Sequence, residues 1–257
     1  MPMLGVDGSS LYYTVKGNGI PIVFIHPPVL TSVNFEYQVE ELAQKFQVIT
    51  FDIRGHGRSQ SSKQSLTYPL IVEDIRCLLD HLNIKRAFIC GYSTGSSIAL
   101  EFLLNYAERS LGGILIGGMS EVKDNYLKNK ISLGMTLAKA RAIHVLALSI
   151  AWSNSNTQKL FIKMFTEARK GNAKNIEQYY RYSLYYNCTN QLRKIKLPVL
   201  LVYGKEDKPF YGYAKLLYEK LPCNKLNFIN NVKHQIPTKA ARDLNEMIKQ
   251  FATIHDN

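Results

Sequence analysis

The stretch that most restricts what this chain can fold into is Phe88-Ile89-Cys90-Gly91-Tyr92-Ser93-Thr94-Gly95-Ser96-Ser97-Ile98-Ala99-Leu100. An apolar, strand-like run enters Gly-x-Ser-x-Gly and a helix-like run leaves it. A chain that reverses this sharply carries a strained backbone at the serine. Side chains at positions 91 and 95 would crowd neighbouring elements, which accounts for both glycines. Such a turn presents Ser93 at the carboxyl end of a strand, with the next helix pointing its N-terminus at any negative charge that develops there.

The rest of the chain alternates in the same way, the signature of an α/β fold. Residues 11–15, 20–25, 46–51, 87–90, 114–116, 199–203 and 226–229 read as strands, and the near-continuous apolar run at 46–51 suits a sheet covered on both faces. Between them Val72, Ile75, Leu79 and Leu82 recur at helical spacing, and residues 96–106 start a helix directly after a strand. After about residue 120 a long, basic, tyrosine-containing helical stretch interrupts the sheet. Residues 238–251 close the chain as a helix, with Ala241, Leu244, Ile248 and Phe251 along one side.

A nucleophilic serine needs a base within hydrogen-bond reach, and the base needs a carboxylate to fix its tautomer and stabilise the imidazolium. Of six histidines, His234 follows the last expected strand and precedes the final helix; Asp207 follows the strand before it, in Gly204-Lys205-Glu206-Asp207. Both sit at carboxyl ends of parallel strands, where open α/β sheets place their sites. Glu206 competes for the acid's role, and Asp207 is preferred.

With these motifs in place, the chain resembles the α/β-hydrolase superfamily, in its lidded, cofactor-free, esterase-like branch, which also holds lactonases, carbon–carbon bond hydrolases and haloperoxidase-like enzymes. The resemblance runs through Phe24-Ile25-His26-Pro27-Pro28, Phe51-Asp52-Ile53-Arg54-Gly55-His56-Gly57-Arg58-Ser59, the turn at Ser93, Gly204-Lys205-Glu206-Asp207 and His234, in the chain order serine, acid, histidine. It implies a mostly parallel eight-stranded sheet with helices on both faces. The core would comprise residues 1–120 and 193–257, with a helical cap inserted at 121–192. Relatives that hydrolyse epoxides or haloalkanes carry a carboxylate at the turn, so Ser93 argues against both activities.

The chain departs from the resemblance at one place. Members usually follow the third strand with His-Gly-x, whose last N–H joins that of the residue after the nucleophile to form the oxyanion hole. Here the stretch is His26-Pro27-Pro28, and Pro28 has no N–H. Thr94 is expected to give one donor; the second falls to Val29 after a loop shift, or to the side chain of Thr31 or Ser32. A missing donor would cost on the order of 3 kcal/mol of transition-state stabilisation. His26 and His56 read as structural hydrogen-bonding residues of the two loops.

Within the expected cap, residues 142–152 are apolar but too short to span a bilayer. They suit a helix over an apolar pocket, with Tyr92, Pro28 and Trp152 as candidate substrate contacts. Tyr179, Tyr180, Tyr182, Tyr185 and Tyr186 either line that pocket or pack the cap against the core. Charge is uneven: residues 121–196 hold 14 Lys plus Arg against 4 Asp plus Glu, so they carry +10 of the chain's net +12. That excess either forms solvated helix faces or attracts an anionic substrate or an acidic membrane surface. No nucleic-acid recognition motif accompanies it.

No dinucleotide-binding glycine fingerprint or metal-ligand cluster is present, so no cofactor and no metal is expected. There is neither a basic leader followed by an apolar run nor a transmembrane segment, and the four widely spaced cysteines, Cys77, Cys90, Cys188 and Cys223, read as reduced packing residues. The expected location is cytoplasmic. The expected function is cleavage of a carboxylic ester, thioester or lactone with an apolar acyl group. The alternatives are a slow-turnover ligand sensor or partner-binding protein on the same fold, favoured by Pro27-Pro28, and a carbon–carbon hydrolase or lyase.

Overall fold

The computed structural model describes residues 2–255. Eight strands form one sheet: β1 (Met3–Val6), β2 (Ser9–Lys16), β3 (Ile20–Ile25), β4 (Phe46–Phe51), β5 (Ala87–Tyr92), β6 (Ser110–Ile116), β7 (Val199–Gly204) and β8 (Asn224–Ile229). Their spatial order is β1-β2-β4-β3-β5-β6-β7-β8. The pairs β1–β2 and β2–β4 are antiparallel and all other neighbours are parallel. The short β1 escaped the sequence reading. It joins β2 through Asp7-Gly8, both at positive φ, a two-residue turn suited to a hairpin.

Every residue of β5 and β7 is buried, and the two-residue strand period divides their side chains between two faces. Val23, Ile25, Ile89, Leu115 and Leu201 point into one apolar cluster; Ile22, Phe24, Phe88, Cys90, Ile114, Leu200 and Val202 point into the other. Helices cover both. On the first face lie α2 (Tyr68–His81) through Ile71, Ile75 and Leu78, and α3 (Thr94–Asn105) through Ile98 and Phe102. On the second lie α1 (Glu36–Leu42) through Leu42, and α10 (Ala241–Ile254) through Leu244, Ile248 and Phe251. The closing helix expected at 238–251 is divided: α9 (Ile236–Lys239) stops at Ala240 and α10 starts afresh.

Between β6 and β7 the chain leaves the sheet and forms α4 (Asn125–Lys139), α5 (Ile143–Asn154), α6 (Gln158–Ala168) and α7 (Ala173–Tyr185). Side chains of Asp124, Thr157 and Asn172 accept backbone N–H groups at the starts of α4, α6 and α7, satisfying donors that a helix leaves unpaired. The two ends of this excursion lie side by side. Glu121 and Asn187 form an antiparallel bridge, and the Cys188 N–H donates to Ser120 O at 2.9 Å. α8 (Tyr211–Lys220) connects β7 to β8.

Candidate active site

Ser93 ends β5 and begins α3 with φ +55° and ψ −124°, a left-handed conformation that costs a residue with a Cβ about 1–3 kcal/mol. The surroundings hold it there. Its N–H donates to Ile116 O at 2.8 Å, and the Ser96 hydroxyl donates to Gly91 O at 2.7 Å. A Cβ on Gly91 would collide with the Gly95 carbonyl, and one on Gly95 would collide with Ile25 O, so the tight approach of strand, turn and helix requires both glycines.

His234, between β8 and α9, reaches Ser93 Oγ with Nε2 at 2.9 Å and Asp207 Oδ2 with Nδ1 at 2.7 Å. Asp207 is 7% exposed, whereas Glu206 is exposed, which separates the two candidate acids. With Nδ1 donating to a carboxylate, Nε2 of a neutral ring is left to accept the Ser93 proton. The imidazole is also confined by two aromatic rings: Phe210 at 4.2 Å and Tyr92 at 5.4 Å between centroids.

Three further residues that shape this geometry escaped the sequence reading. Phe210 sits in the 3-10 turn after β7 and packs on His234. Gly117, at φ +55°, leaves the space for the imidazole, since a Cβ there would lie 2.8 Å from His234 Cε1. Asn154, buried at the end of α5, accepts the Tyr92 hydroxyl at 3.0 Å and its carbonyl accepts from Thr238 Oγ1, joining strand, excursion and histidine loop. A glycine after a strand and an asparagine late in a helix are common, so neither carried a signal in the sequence alone.

The loops after β3 and β4 are fixed by buried polar groups. Ile53 N–H donates to His26 Nε2 at 2.9 Å, so the ring proton sits on Nδ1, which donates to Pro27 O at 2.9 Å. His56 Nδ1 donates to Arg54 O at 3.1 Å. Burial pushes His26 down to about 4 and His56 to about 3, keeping both rings neutral. Both histidines are thus structural, as the sequence reading expects. Arg54 and Asp74, both almost fully buried, form a two-pronged pair at 2.6 and 2.7 Å. Asp52 takes the N–H groups of Ser32 and Arg58, tying one loop to the other.

Those ties correct one expectation. Thr31 Oγ1 accepts the Val33 N–H in capping a 3-10 turn, Ser32 is drawn to Asp52, and neither residue lines the cavity beside Ser93. Thr94 and Pro28 do line it. Val29 does not line it: it adopts φ +72°, an outlier for a β-branched residue, and turns its side chain into the core.

The cavity, of about 360 Å³, lies between the strand ends and α4, α5 and α7. Leu30, Leu127, Ile131, Leu137, Leu146 and Tyr180 are among its apolar walls, and Tyr92, Ser93 and His234 lie at its polar end. Trp152 does not line it: the winding of α5 puts that ring outside, 72% exposed, against Phe161. Of the tyrosine stretch only Tyr180 reaches the cavity. Tyr179 donates to His26 O at 2.9 Å, Tyr182 and Tyr186 pack around Tyr68, and Tyr185 is exposed. Among the described residues all four cysteines are free; Cys90 and Cys188 are buried, but Cys223 is exposed and so is no packing residue.

Comparison with known proteins bears on the fold. The chain is 24% identical over 264 residues to the AB hydrolase superfamily protein YisY of Bacillus subtilis, with 95% of each chain covered. It is 23% identical over 268 residues to a non-heme haloperoxidase of Rhodococcus erythropolis, with 95% of this chain and 96% of that one covered. Among solved structures it resembles an esterase from Exiguobacterium antarcticum (TM-score 0.87, 20% identity, 98% of both chains) and the enol-lactonase from Burkholderia xenovorans (TM-score 0.86, 20% identity, 98% of this chain and 100% of that one). A family model described as the alpha/beta hydrolase fold matches residues 20–238. With most of its length so matched, the chain belongs to the α/β-hydrolase fold family.

Proposed function

We propose that this protein is a serine hydrolase that cleaves a carboxylic ester, thioester or lactone through an acyl-enzyme on Ser93. The observation that carries the reading is the unbroken hydrogen-bond chain from Asp207 Oδ2 through His234 to Ser93 Oγ, at 2.7 and 2.9 Å. In the first half-reaction His234 Nε2 takes the Ser93 proton while Oγ bonds to the substrate carbonyl carbon. The imidazolium, stabilised by Asp207, then protonates the leaving oxygen or sulfur. In the second, Nε2 takes a proton from water, the hydroxide attacks the acyl carbon, and the acid departs as Ser93 recovers its proton.

The developing oxyanion is held by the Thr94 N–H at the start of α3, aided by the helix dipole, and by the Val29 N–H. The left-handed turn at Val29 supports the second assignment, since backbone strain of this kind concentrates at functional loops. The helical excursion, residues 121–192, acts as a cap. Its joined ends and the cavity beneath it support that role, and the apolar walls favour an apolar acyl group. The lactonase and esterase among its structural neighbours are consistent with this chemistry.

One observation favours a second reading: Pro28 supplies no N–H, and a weak oxyanion hole would suit a ligand sensor that turns over slowly. Labelling by a fluorophosphonate, followed by turnover of p-nitrophenyl esters of increasing chain length, tests both. Labelling and turnover abolished by Ser93→Ala and His234→Ala support the hydrolase. A folded wild-type protein that neither labels nor turns over, yet binds ligand tightly, would establish the sensor.

A further inference from the structure

The outer side of α5 is at odds with its position on the surface. The helix holds no Lys, Arg, Asp or Glu, and its inner side buries Ile143, Leu146, Ala147 and Ala151. Val145, Leu148 and Trp152, spaced three and four residues apart and therefore on one side, are 58, 52 and 72% exposed. Exposed His144 and Ser149 are the polar residues at the edges of this side, and a helix so largely apolar is normally buried in a core or in lipid. By contrast α10, which also lies on the surface, turns Arg242, Asp243, Glu246 and Gln250 outward. The patch extends to α4, where exposed Leu133 lines the same cavity as Val145, and to α6, where Phe161 meets Trp152 edge-on at 5.6 Å. The entrance to the Ser93 cavity therefore opens within an exposed apolar surface.

Cations flank it. Lys130, Lys139, Arg141 and Lys159 are exposed. The ion pairs of this stretch use Lys163, Lys170, Arg181 and Arg58, leaving those four without an acidic partner among the described residues. Lys139 and Arg141 lie just before α5 and Lys130 at the cavity wall, whereas Lys159, two residues before Phe161 on α6, stands on a different side of that helix. Apolar side chains flanked by cations without acidic partners match the headgroup region of a bilayer rich in acidic lipid: the side chains enter the acyl boundary while the cations meet phosphates. A second copy of the chain fits less well, because a two-fold contact would bring the same cations face to face.

The geometry points to this face of α4, α5 and α6 as a docking surface for an anionic phospholipid bilayer, which brings the entrance of the Ser93 cavity against the lipid. Docking depends on the surface and not on turnover at Ser93, so the two fail separately.

Trp152 is the only tryptophan in the chain and serves as the reporter. The full chain is titrated with vesicles of phosphatidylcholine alone and of phosphatidylcholine mixed with phosphatidylglycerol. The expected result is a blue shift of tryptophan emission, with quenching by lipids brominated in their acyl chains, on the anionic vesicles only and reversed by high salt. Leu148→Ser, or Lys139→Glu combined with Arg141→Glu, is expected to weaken binding about tenfold. None of the three side chains lines the cavity, so hydrolysis of a short, water-soluble p-nitrophenyl ester should be unchanged, which also verifies folding. Emission that stays at the solvent-exposed position on anionic vesicles overturns the proposal, as does equal binding to neutral ones. So would a blue shift without lipid that rises with protein concentration alongside dimer formation.

Discussion

In the sheet, β5 is buried at every residue, and the polar groups beside it are tied in place: Ser96 to Gly91 O, His26 to Ile53 N–H, Arg54 to Asp74. In the excursion that passes over the same site, an uncharged helix leaves three large apolar side chains in solvent, and most of the chain's excess positive charge lies around it. The two regions meet at one cavity but solve different problems. The sheet and its loops hold Ser93 and Val29 at positive φ, strain that the surrounding packing offsets. The excursion provides shape, apolar wall and charge, none of which needs residues held in this way. Substitutions in the sheet should therefore change rate or stability steeply, and substitutions in the excursion should change what binds.

The steepest test of that division is Ser93→Ala. If Ser93 is the nucleophile, ester turnover should fall by about 10⁴-fold or more while the thermal midpoint hardly moves. Residual turnover within tenfold of wild type would mean that the chemistry lies elsewhere.

Next comes the buried pair beneath the loops. Asp74→Asn leaves the Arg54 guanidinium, 1% exposed, without its countercharge, and is expected to lower stability by about 3–5 kcal/mol in urea denaturation. Activity per folded molecule should be unaltered, because neither residue touches the cavity.

The neutral histidines make the same region sensitive to acid. Burial holds His26 near 4 and His56 near 3, whereas an unfolded chain protonates histidine around pH 6.5. The unfolded state thus binds more protons as pH falls through 6.5. The stability these rings contribute is complete above about pH 7 and is lost progressively towards pH 4 and below. Between pH 7.5 and 5.5 the loss should be about 1.4 kcal/mol per histidine. Urea midpoints at the two values measure it, and His56→Gln should flatten the slope; an unchanged slope would place the acid-sensitive group elsewhere.

Smaller still is the tie between the regions. Tyr92→Phe leaves Asn154 Oδ1 without the Tyr92 hydroxyl, at a cost of about 1–2 kcal/mol. If the excursion is a cap held to the sheet at this point, KM should rise more than kcat falls, and protease cleavage within residues 121–192 should quicken. An effect on kcat alone would assign Tyr92 to the chemistry instead.

The same contrast explains what was legible in the sequence. Strands 20–25 and 46–51 agree to the residue because burial on both faces writes a near-continuous apolar run, broken in the second only by Gln47 and Thr50. Ser93 and Asp207 stood out because each follows a strand buried throughout, and His234 because it lies between the last strand and the final helices. β1 was missed: four residues at an edge, three of them not buried, leave no run to see. Trp152 was assigned to the cavity because α5 has no polar side, so nothing in its pattern says which face turns inward. The tyrosines of α7 were ambiguous for a related reason: an aromatic ring suits a pocket wall and a packed interface equally, and four of the five do not reach the cavity.

The finest test concerns Pro28, where the chain departs from the usual oxyanion loop. Pro28→Ala restores the N–H at the position where relatives carry one. If the left-handed turn at Val29 already offers its own N–H, the restored donor is redundant and the acylation rate should stay within about threefold of wild type. A missing donor is worth on the order of 3 kcal/mol, so if the wild-type site has only the Thr94 N–H, the substitution should raise the rate tenfold or more. Single-turnover acylation with a p-nitrophenyl ester resolves the two. A large gain would remove Val29 from the site and show the strain at φ +72° to be a consequence of fitting two prolines after β3, with a slow enzyme as the result.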